Sequence, residues 1–293
     1  MPTSPFVTID VFTEQRFGGN PLAVFTDAVG IPEAALQPLA GELNLSETTF
    51  VLPPDDPAHA ARVRIFNRTS EMDFAGHPMV GTAYVLADRA REGRLAFEVR
   101  AGVVDVELRH DSAGIVRGAA ITAPRTLAVG DRHSVESIAA CLRLDTTDVV
   151  TAQHEPIEAS MGNAFVMTEV RADALSQASP DEAAFRSALA TQPGAGRLAI
   201  LAYARNGDDV RTRMFAPLSG TPEDPATGSA NVALAGLLLN LSGGRHLAYT
   251  SVQGVEMGRE SRMELVAWRE SEGIRASVAG SCIPVLRGEA EFS

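Results

Sequence analysis

Two segments of the chain combine titratable, hydroxyl and glycine residues at a spacing that suits a binding or catalytic site. The first contains Gly76, His77 and Pro78 and continues into the triplet Gly81-Thr82-Ala83, and the second is the run Asp-Pro-Ala-Thr-Gly-Ser-Ala at residues 224–230. In each segment a proline and small polar residues come immediately before an apolar run. Because proline suits the first turn of a helix, both segments predict a helix N-terminus.

The second of these helices is predicted to be buried on all sides. Residues 232–241 are apolar on nearly every helical face. Asp224 is predicted as the N-cap and Pro225 as the first helical residue. The free N–H groups and positive dipole at such a helix end favour an anion, beside which Ser229 would act as a ligand. The alternative is that Ser229 only caps or packs the helix.

The two titratable residues differ in how readily structure alone explains them. Asp224 is a preferred N-cap residue, so a purely structural role accounts for it well. His77 is predicted at the cap position before Pro78, where histidine is not preferred, and this favours a functional role. A hydrogen-bonded histidine under a loop remains the alternative, and Thr82 could likewise cap or pack the first helix.

The chain contains an internal repeat. His77 and Asp224 are 147 residues apart, and the triplet at 81–83 has the same offset from the triplet at 228–230. Upstream, the pattern Arg-x-Arg-x-Phe at 62–66 recurs 149 residues later. Such self-similarity indicates duplicated halves, with His77 and Asp224 facing each other across a cleft between them.

Glu47 is a third candidate for acid–base chemistry. It lies in the polar island Ser46-Glu47-Thr48-Thr49, between an apolar helical stretch and an apolar strand. On the sequence alone, a solvated loop carboxylate is the simpler interpretation.

The composition excludes several classes of function. The net charge is −12 and argues against nucleic acid or an anionic membrane as partners. All 25 basic residues are arginine, which excludes Schiff-base lysine chemistry and a Walker phosphate loop. The six histidines lack zinc-site spacing.

Two distant cysteines and the lack of a signal sequence indicate a cytoplasmic protein. The glycine pattern Gly194-x-Gly196 precedes a strand, so a dinucleotide site is rejected.

The remaining sequence predicts many strands and few helices joined by short connections. This favours an α+β protein with largely antiparallel sheets, each curled around one buried helix per half. Further helices are predicted near 32–43, 134–142 and 180–190. Strands are predicted near 6–12, 22–25, 50–52, 61–66, 96–99, 103–108, 118–122, 149–152, 164–170, 198–203, 210–215, 246–252, 263–268 and 274–278.

Several of these motifs together resemble the phenazine-biosynthesis PhzF-like family. The matching residues are Ser-Glu-Thr-Thr-Phe-Val at 46–51, Phe-Ala-Gly-His-Pro at 74–78, the run at 224–230, Gly-Asn-Pro at 19–21 and Gln253-Gly254. The resemblance implies a diaminopimelate epimerase-like fold of two similar domains, predicted at 1–125 and 126–293, with the site between them. The related epimerases use a cysteine from each half, but neither motif here contains a thiol.

The resemblance also implies an activity. Characterised PhzF-type enzymes isomerise a dihydro-hydroxyanthranilate without a cofactor, by moving a proton within the ring. We therefore predict a cofactor- and metal-independent isomerase acting on a small carboxylic acid, and a homodimer. By resemblance, Glu47 is the proton shuttle, assisted by His77, Asp224 and Ser229, and the predicted substrate-binding residues are Gly76, Thr82, Thr227 and Gly228. A non-catalytic metabolite-binding or interaction protein on the same scaffold is the alternative.

Overall fold

The computed structural model describes residues 2–191, 197–207 and 209–292, and these residues form two compact units. Unit 1 comprises residues 1–122 together with 279–293, and unit 2 comprises residues 123–278. Gly194 and Gly196 lie outside the described residues. Throughout the described ranges, every helix is too short or too polar to be a transmembrane span.

Unit 1 is built from a mixed sheet and two helices. Its elements are β1 (Thr3–Val11), β2 (Asn20–Phe25), α1 (Glu33–Leu43), β3 (Glu47–Leu52), β4 (Ala61–Phe66), β5 (Glu71–Met72), α2 (Gly76–Val85), β6 (Arg94–Val99), β7 (Gly102–His110) and β8 (Val116–Thr122). The helix predicted from its apolar sequence, α2, is buried along residues 76–83. Gly81 allows the side chains of Ile9, Val11 and Leu22 to approach it closely.

The opposite face of this sheet is covered by α1. Its buried residues Leu36 and Ala40 belong to an apolar cluster that includes Phe25, Phe50 and Phe66. The ring of Phe50 stacks on that of Phe25, with centroids 4.8 Å apart, and meets Phe66 edge-on. The sheet of unit 1 is therefore packed on both faces.

In its described residues, unit 2 contains four α-helices and a further set of strands with both parallel and antiparallel pairings. Its elements are β9 (Ala128–Arg132), α3 (Val135–Leu142), β10 (Ile157–Ser160), β11 (Ala164–Glu169), α4 (Ala172–Leu175), α5 (Glu182–Ala190), β12 (Ile200–Asn206), β13 (Asp209–Ala216), β14 (Thr221–Asp224), α6 (Gly228–Ser242), β15 (His246–Gln253) and β16 (Ser261–Glu270). Helix α6 is buried at nearly every position to Leu239 and packs on β15 and β16. Helices α3 and α5 share a separate apolar cluster with β12.

The order of strand pairings repeats between the two units. In unit 1 the pairings β1–β2, β2–β3, β3–β4, β4–β6 and β6–β7 alternate between antiparallel and parallel. In unit 2 the pairings β10–β11, β11–β12, β12–β13, β13–β15 and β15–β16 alternate in the same order. Helices α2 and α6 occupy corresponding places in the chain order. Each unit therefore contains parallel pairings as well as the antiparallel ones that the sequence emphasised.

Because of its last strand, the chain is divided into units differently from the predicted boundary at residue 125. Strand β17 (Gly273–Glu291) begins in unit 2, but its residues from 279 onward belong to unit 1. They do so because they pair antiparallel with β1, from Val11 opposite Cys282 to Thr3 opposite Glu291. Contiguous domains of 1–125 and 126–293 therefore do not describe where residues 279–293 lie.

Some local predictions were wrong. The strand predicted at 149–152 is reduced to a single bridge between Val149 and Val170, after a turn of 3₁₀ helix. Helix α6 begins at Gly228, so Asp224 is not its N-cap and Pro225 is not its first residue. Asp224 instead ends β14, where its backbone pairs with that of Met214.

Candidate active site

In unit 1, the fold brings Glu47 and His77 into contact although they are 30 residues apart in sequence. Glu47 is the first residue of β3, and His77 is the second residue of α2. The prediction that His77 is the N-cap was wrong, because the N-cap is Ala75. The imidazole Nε2 lies 3.1 Å from a carboxylate oxygen of Glu47. Glu47 is therefore positioned by a strand end and is not a freely solvated loop carboxylate.

A buried amide on β2 faces the other side of the His77 ring. Asn20 is fully buried, and its side-chain nitrogen lies 3.4 Å from Nδ1 of His77. The Asn20 amide offers both a donor and an acceptor, so it can bond Nδ1 in either tautomer of the ring. Asn20 was not among the site residues predicted from the sequence.

His77 is held in its neutral form. Burial lowers the pKa of His77 from its usual 6.5 to about 3, because an imidazolium would lose its hydration there. The contact with Glu47 is therefore not a pair of opposite charges. The neighbouring imidazole is uncharged and therefore supplies no positive charge beside the Glu47 carboxylate.

The depressed pKa of His77 predicts a loss of stability in acid. Below pH 6.5 the unfolded chain binds a proton at this histidine that the folded chain rejects, down to about pH 3. The free energy of unfolding should therefore fall by about 2 kcal/mol between pH 7 and pH 5 from this group. Urea unfolding of wild type and His77→Gln at both pH values measures it. The surface variant His246→Gln should retain the wild-type pH dependence, and an unchanged dependence in His77→Gln would contradict the assignment.

Thr82 does not lie where the sequence analysis expected it. It is the seventh residue of α2, fully buried, and its hydroxyl lies 3.0 Å from that of Thr49 on β3. The first turn of α2 contains Gly76 and His77, so Thr82 is a turn too far along the helix to bind an anion at its N-terminus. Its hydroxyl instead joins the helix to the sheet, and its contact with substrate stays a prediction.

In unit 2, Asp224 and Thr227 form the second set of polar residues. The Thr227 hydroxyl donates to a carboxylate oxygen of Asp224 at 2.5 Å, and both residues are largely buried. Thr227 is the N-cap of α6, but its side chain bonds Asp224 and does not cap the helix. Gly228 and Ser229 are the first two residues of α6, so the predicted first-turn position of Ser229 is correct.

A buried glutamine on β15 organises this turn. Gln253 contacts both Asp224 and Thr227, and it was noted in the sequence only as part of a family motif. The signal that could have identified it is an uncharged polar residue at an inward-facing position of an otherwise half-apolar strand. Such a residue needs buried hydrogen-bonding partners.

In the part of the chain that the structure describes, no group of three or more histidine, cysteine, aspartate or glutamate side chains could hold a metal ion. The two cysteines, Cys141 and Cys282, are buried, and burial raises the pKa of the Cys141 thiol to about 11. Cys141 is therefore kept as a neutral thiol at physiological pH.

Comparison with solved structures defines the class of fold. The crystal structure of a phenazine biosynthesis protein of the PhzF family from Bacillus anthracis matches with a TM-score of 0.88 and 25% identity, covering 100% of both chains. A probable proline racemase from Agrobacterium radiobacter matches with a TM-score of 0.66 at 13% identity, over 99% of this chain and 93% of its own. The second likeness concerns the fold alone, which is that of PhzF and proline racemase-like proteins.

Sequence comparison gives the family. Residues 9–288 match the family described as phenazine biosynthesis-like protein. The trans-2,3-dihydro-3-hydroxyanthranilate isomerase of Pseudomonas aeruginosa is 35% identical over 293 residues, covering 97% of this chain and 98% of that enzyme. The chain belongs to the phenazine biosynthesis-like family. It is an isomerase, and the resemblance stated from its motifs is confirmed.

Proposed function

We propose that the protein shifts a proton on a small unsaturated carboxylic acid, of the dihydro-hydroxyanthranilate type, without a cofactor. The observation that carries this proposal is the contact between Glu47 and a neutral His77. A carboxylate beside an uncharged imidazole is a stronger base than a carboxylate paired with an arginine. A non-catalytic binding protein is not favoured, since the relatives are named as isomerases.

The chemistry needs one base and no added reactant. Glu47 removes a proton from a ring carbon, and the electron pair of the broken C–H bond moves into the adjacent unsaturated system. The protonated Glu47 then returns the proton to a different carbon, so that a double bond has moved and no atom is gained or lost. A positioned acid–base group of this kind contributes about 10²–10⁴-fold to the rate.

Asp224, Ser229, Thr227, Gly76 and Gly228 are proposed to bind the substrate. Neither α2 nor α6 has a side-chain cap at its first turn. Uncapped N–H groups at a helix start suit the carboxylate of such an acid. The Asp224 carboxylate accepts the Thr227 hydroxyl and thereby has its charge partly compensated.

The architecture completes the proposal. The repeated order of pairings and the matching places of α2 and α6 support an α+β fold of two duplicated domains, each with a curled, mostly antiparallel sheet around its central helix. A homodimer and a cytoplasmic location are expected from the resemblance and the composition. Light scattering of the purified protein tests the dimer.

Proton exchange tests the activity directly. We expect incubation with trans-2,3-dihydro-3-hydroxyanthranilate in D₂O to give an isomer whose ring carries deuterium at the carbon that receives the proton, observed by NMR. Heat-denatured protein is the control. Incorporation from solvent follows if the protonated Glu47 exchanges before it returns its proton, and isomerisation without deuterium indicates that the same proton is transferred. The absence of both exchange and isomerisation with this acid and its close analogues would overturn the proposal.

A further inference from the structure

The side-chain amide of Gln253 makes three hydrogen bonds to the turn before α6 and two to the neighbouring residues Asn231 and Thr212. Gln253 is 1% exposed at the end of β15. Its nitrogen donates to the Asp224 carbonyl at 2.8 Å and to the Thr227 hydroxyl at 3.2 Å. Its oxygen accepts from the Thr227 N–H at 3.3 Å, from the Asn231 amide at 2.9 Å and from the Thr212 hydroxyl at 3.2 Å.

The orientation of this amide is fixed by its neighbours. The backbone carbonyl of Asp224 only accepts hydrogen bonds, and the backbone N–H of Thr227 only donates them. Turning the Gln253 amide over would place its oxygen against the first group and its nitrogen against the second. Both contacts would then be repulsive, so the nitrogen must face Asp224.

This orientation determines where the Thr227 hydroxyl points. The hydroxyl has one hydrogen, and its oxygen accepts from the Gln253 nitrogen. The hydrogen is therefore available to Asp224, whose carboxylate oxygen is 2.5 Å away. The result is a directed chain of donors that runs from Gln253 through Thr227 to Asp224.

The backbone after Gln253 holds it against the same turn. Gly254 has φ of 78°, and an added Cβ would lie 2.6 Å from the Pro225 carbonyl oxygen and 2.5 Å from that of Arg259. Only glycine fits this approach, because the conformation is left-handed and the space is filled by backbone. Pro225 lies between Asp224 and Thr227, so this close approach is beside the contacts that Gln253 makes.

We infer that Gln253 is a positioning residue for the isomerase: through Thr227 it holds the Asp224 carboxylate as a hydrogen-bond acceptor of fixed direction. This inference rests on the proposed function insofar as Asp224 contacts the substrate. Gln253 itself acts only through the turn. A purely structural role would stabilise the fold without depending on the carboxylate of Asp224.

A double-mutant cycle separates these roles. Gln253→Glu keeps the shape but replaces the donating nitrogen by an acceptor, and kcat/KM should fall at least about 10-fold. In the Asp224→Asn background the same change should cost less than about 3-fold, because the carboxylate on which it acts is absent. Gln177→Glu, an exposed residue of unit 2 whose amide also donates to a carbonyl, is the matched control and should match wild type. Equal losses in both backgrounds would overturn the inference.

A second pair of variants serves if Gln253→Glu does not fold. Thr227→Val removes the hydroxyl at constant shape, whereas Thr227→Ser restores it. The serine variant should recover most of the kcat/KM that the valine variant loses, and equal losses in the two would also contradict a relay through the hydroxyl.

A readout without turnover distinguishes failure of this inference from failure of the proposed function. In ¹H–¹⁵N spectra, the side-chain amide signal of Gln253, assigned by its loss in Gln253→Glu, should shift in both Thr227→Val and Asp224→Asn. These shifts would support the hydrogen-bond chain even if no candidate acid is turned over. If the Gln253 amide signal shifts in neither Thr227→Val nor Asp224→Asn, the inference is wrong, whatever the activity of the protein.

Discussion

Glu47→Gln should lower kcat by at least about 100-fold, which corresponds to roughly 3 kcal/mol in the activation free energy. The glutamine retains the shape of the side chain and an oxygen that can face Nε2 of His77, 3.1 Å from the present carboxylate. It cannot take up a proton, so the step at the ring carbon loses its base. Steady-state turnover and deuterium exchange by NMR measure the loss, and affinity for a substrate analogue should change much less.

Glu42→Gln is the control for this variant. Glu42 lies five residues before Glu47, on α1, and is exposed in the structure. The same substitution there should leave turnover at the wild-type level. If Glu47→Gln exchanges deuterium at the wild-type rate while His77→Gln or Asp224→Asn abolishes exchange, another group is the base.

Gly118→Ala should destabilise unit 1 by about 3 kcal/mol, the second largest effect that we expect. Gly118 lies on β8, and a Cβ at this position would be 1.9 Å from the carbonyl oxygen of Gly280 and 2.8 Å from Cα of Ser281. The obstructing atoms are backbone, so no side chain can rotate away. Chemical denaturation of both proteins measures the difference in unfolding free energy.

Gly30→Ala is the matched control in the same unit. An added Cβ there meets nothing within 4 Å, and the residue does not need a positive φ. Its unfolding free energy should stay within about 1 kcal/mol of wild type. Equal stability of Gly118→Ala and Gly30→Ala would show that β8 and β17 can separate without cost.

The two buried helices, α2 and α6, were predictable because a helix that is apolar on nearly every face is stable in water only when it is buried. Residues of α2 and α6 are apolar on nearly every face, and the structure buries most of both helices. Their first residues were not predictable from capping preferences alone. Asp224 is a residue type that often caps a helix, but its backbone pairs with that of Met214, ten residues earlier. Because of this strand pairing, the helix begins only at Gly228. The local sequence does not show that a strand pairing competes with helix capping at this residue.

For the candidate site, the residues were predictable but their contacts were not. The titratable residues could be named from motif and resemblance, but the contact between Glu47 and His77 depends on the register of β3 beside β2, where Leu22 lies opposite Glu47. Asn20 and Gln253 act only by way of hydrogen bonds to distant residues. Their roles follow from tertiary geometry, so single-sequence reasoning could not assign them.

The return of β17 to unit 1 constrains the order in which the protein can fold during synthesis. Residues 282–291 are the partners of β1, and they leave the ribosome only after the whole of unit 2 has been made. Until then the edge of β1 that they cover lacks its partner, a state in which strands are prone to pair with other chains. Unit 2 ends at residue 278, so it can fold before the last strand of unit 1 has been synthesised. The half of the protein that is made first is therefore finished last.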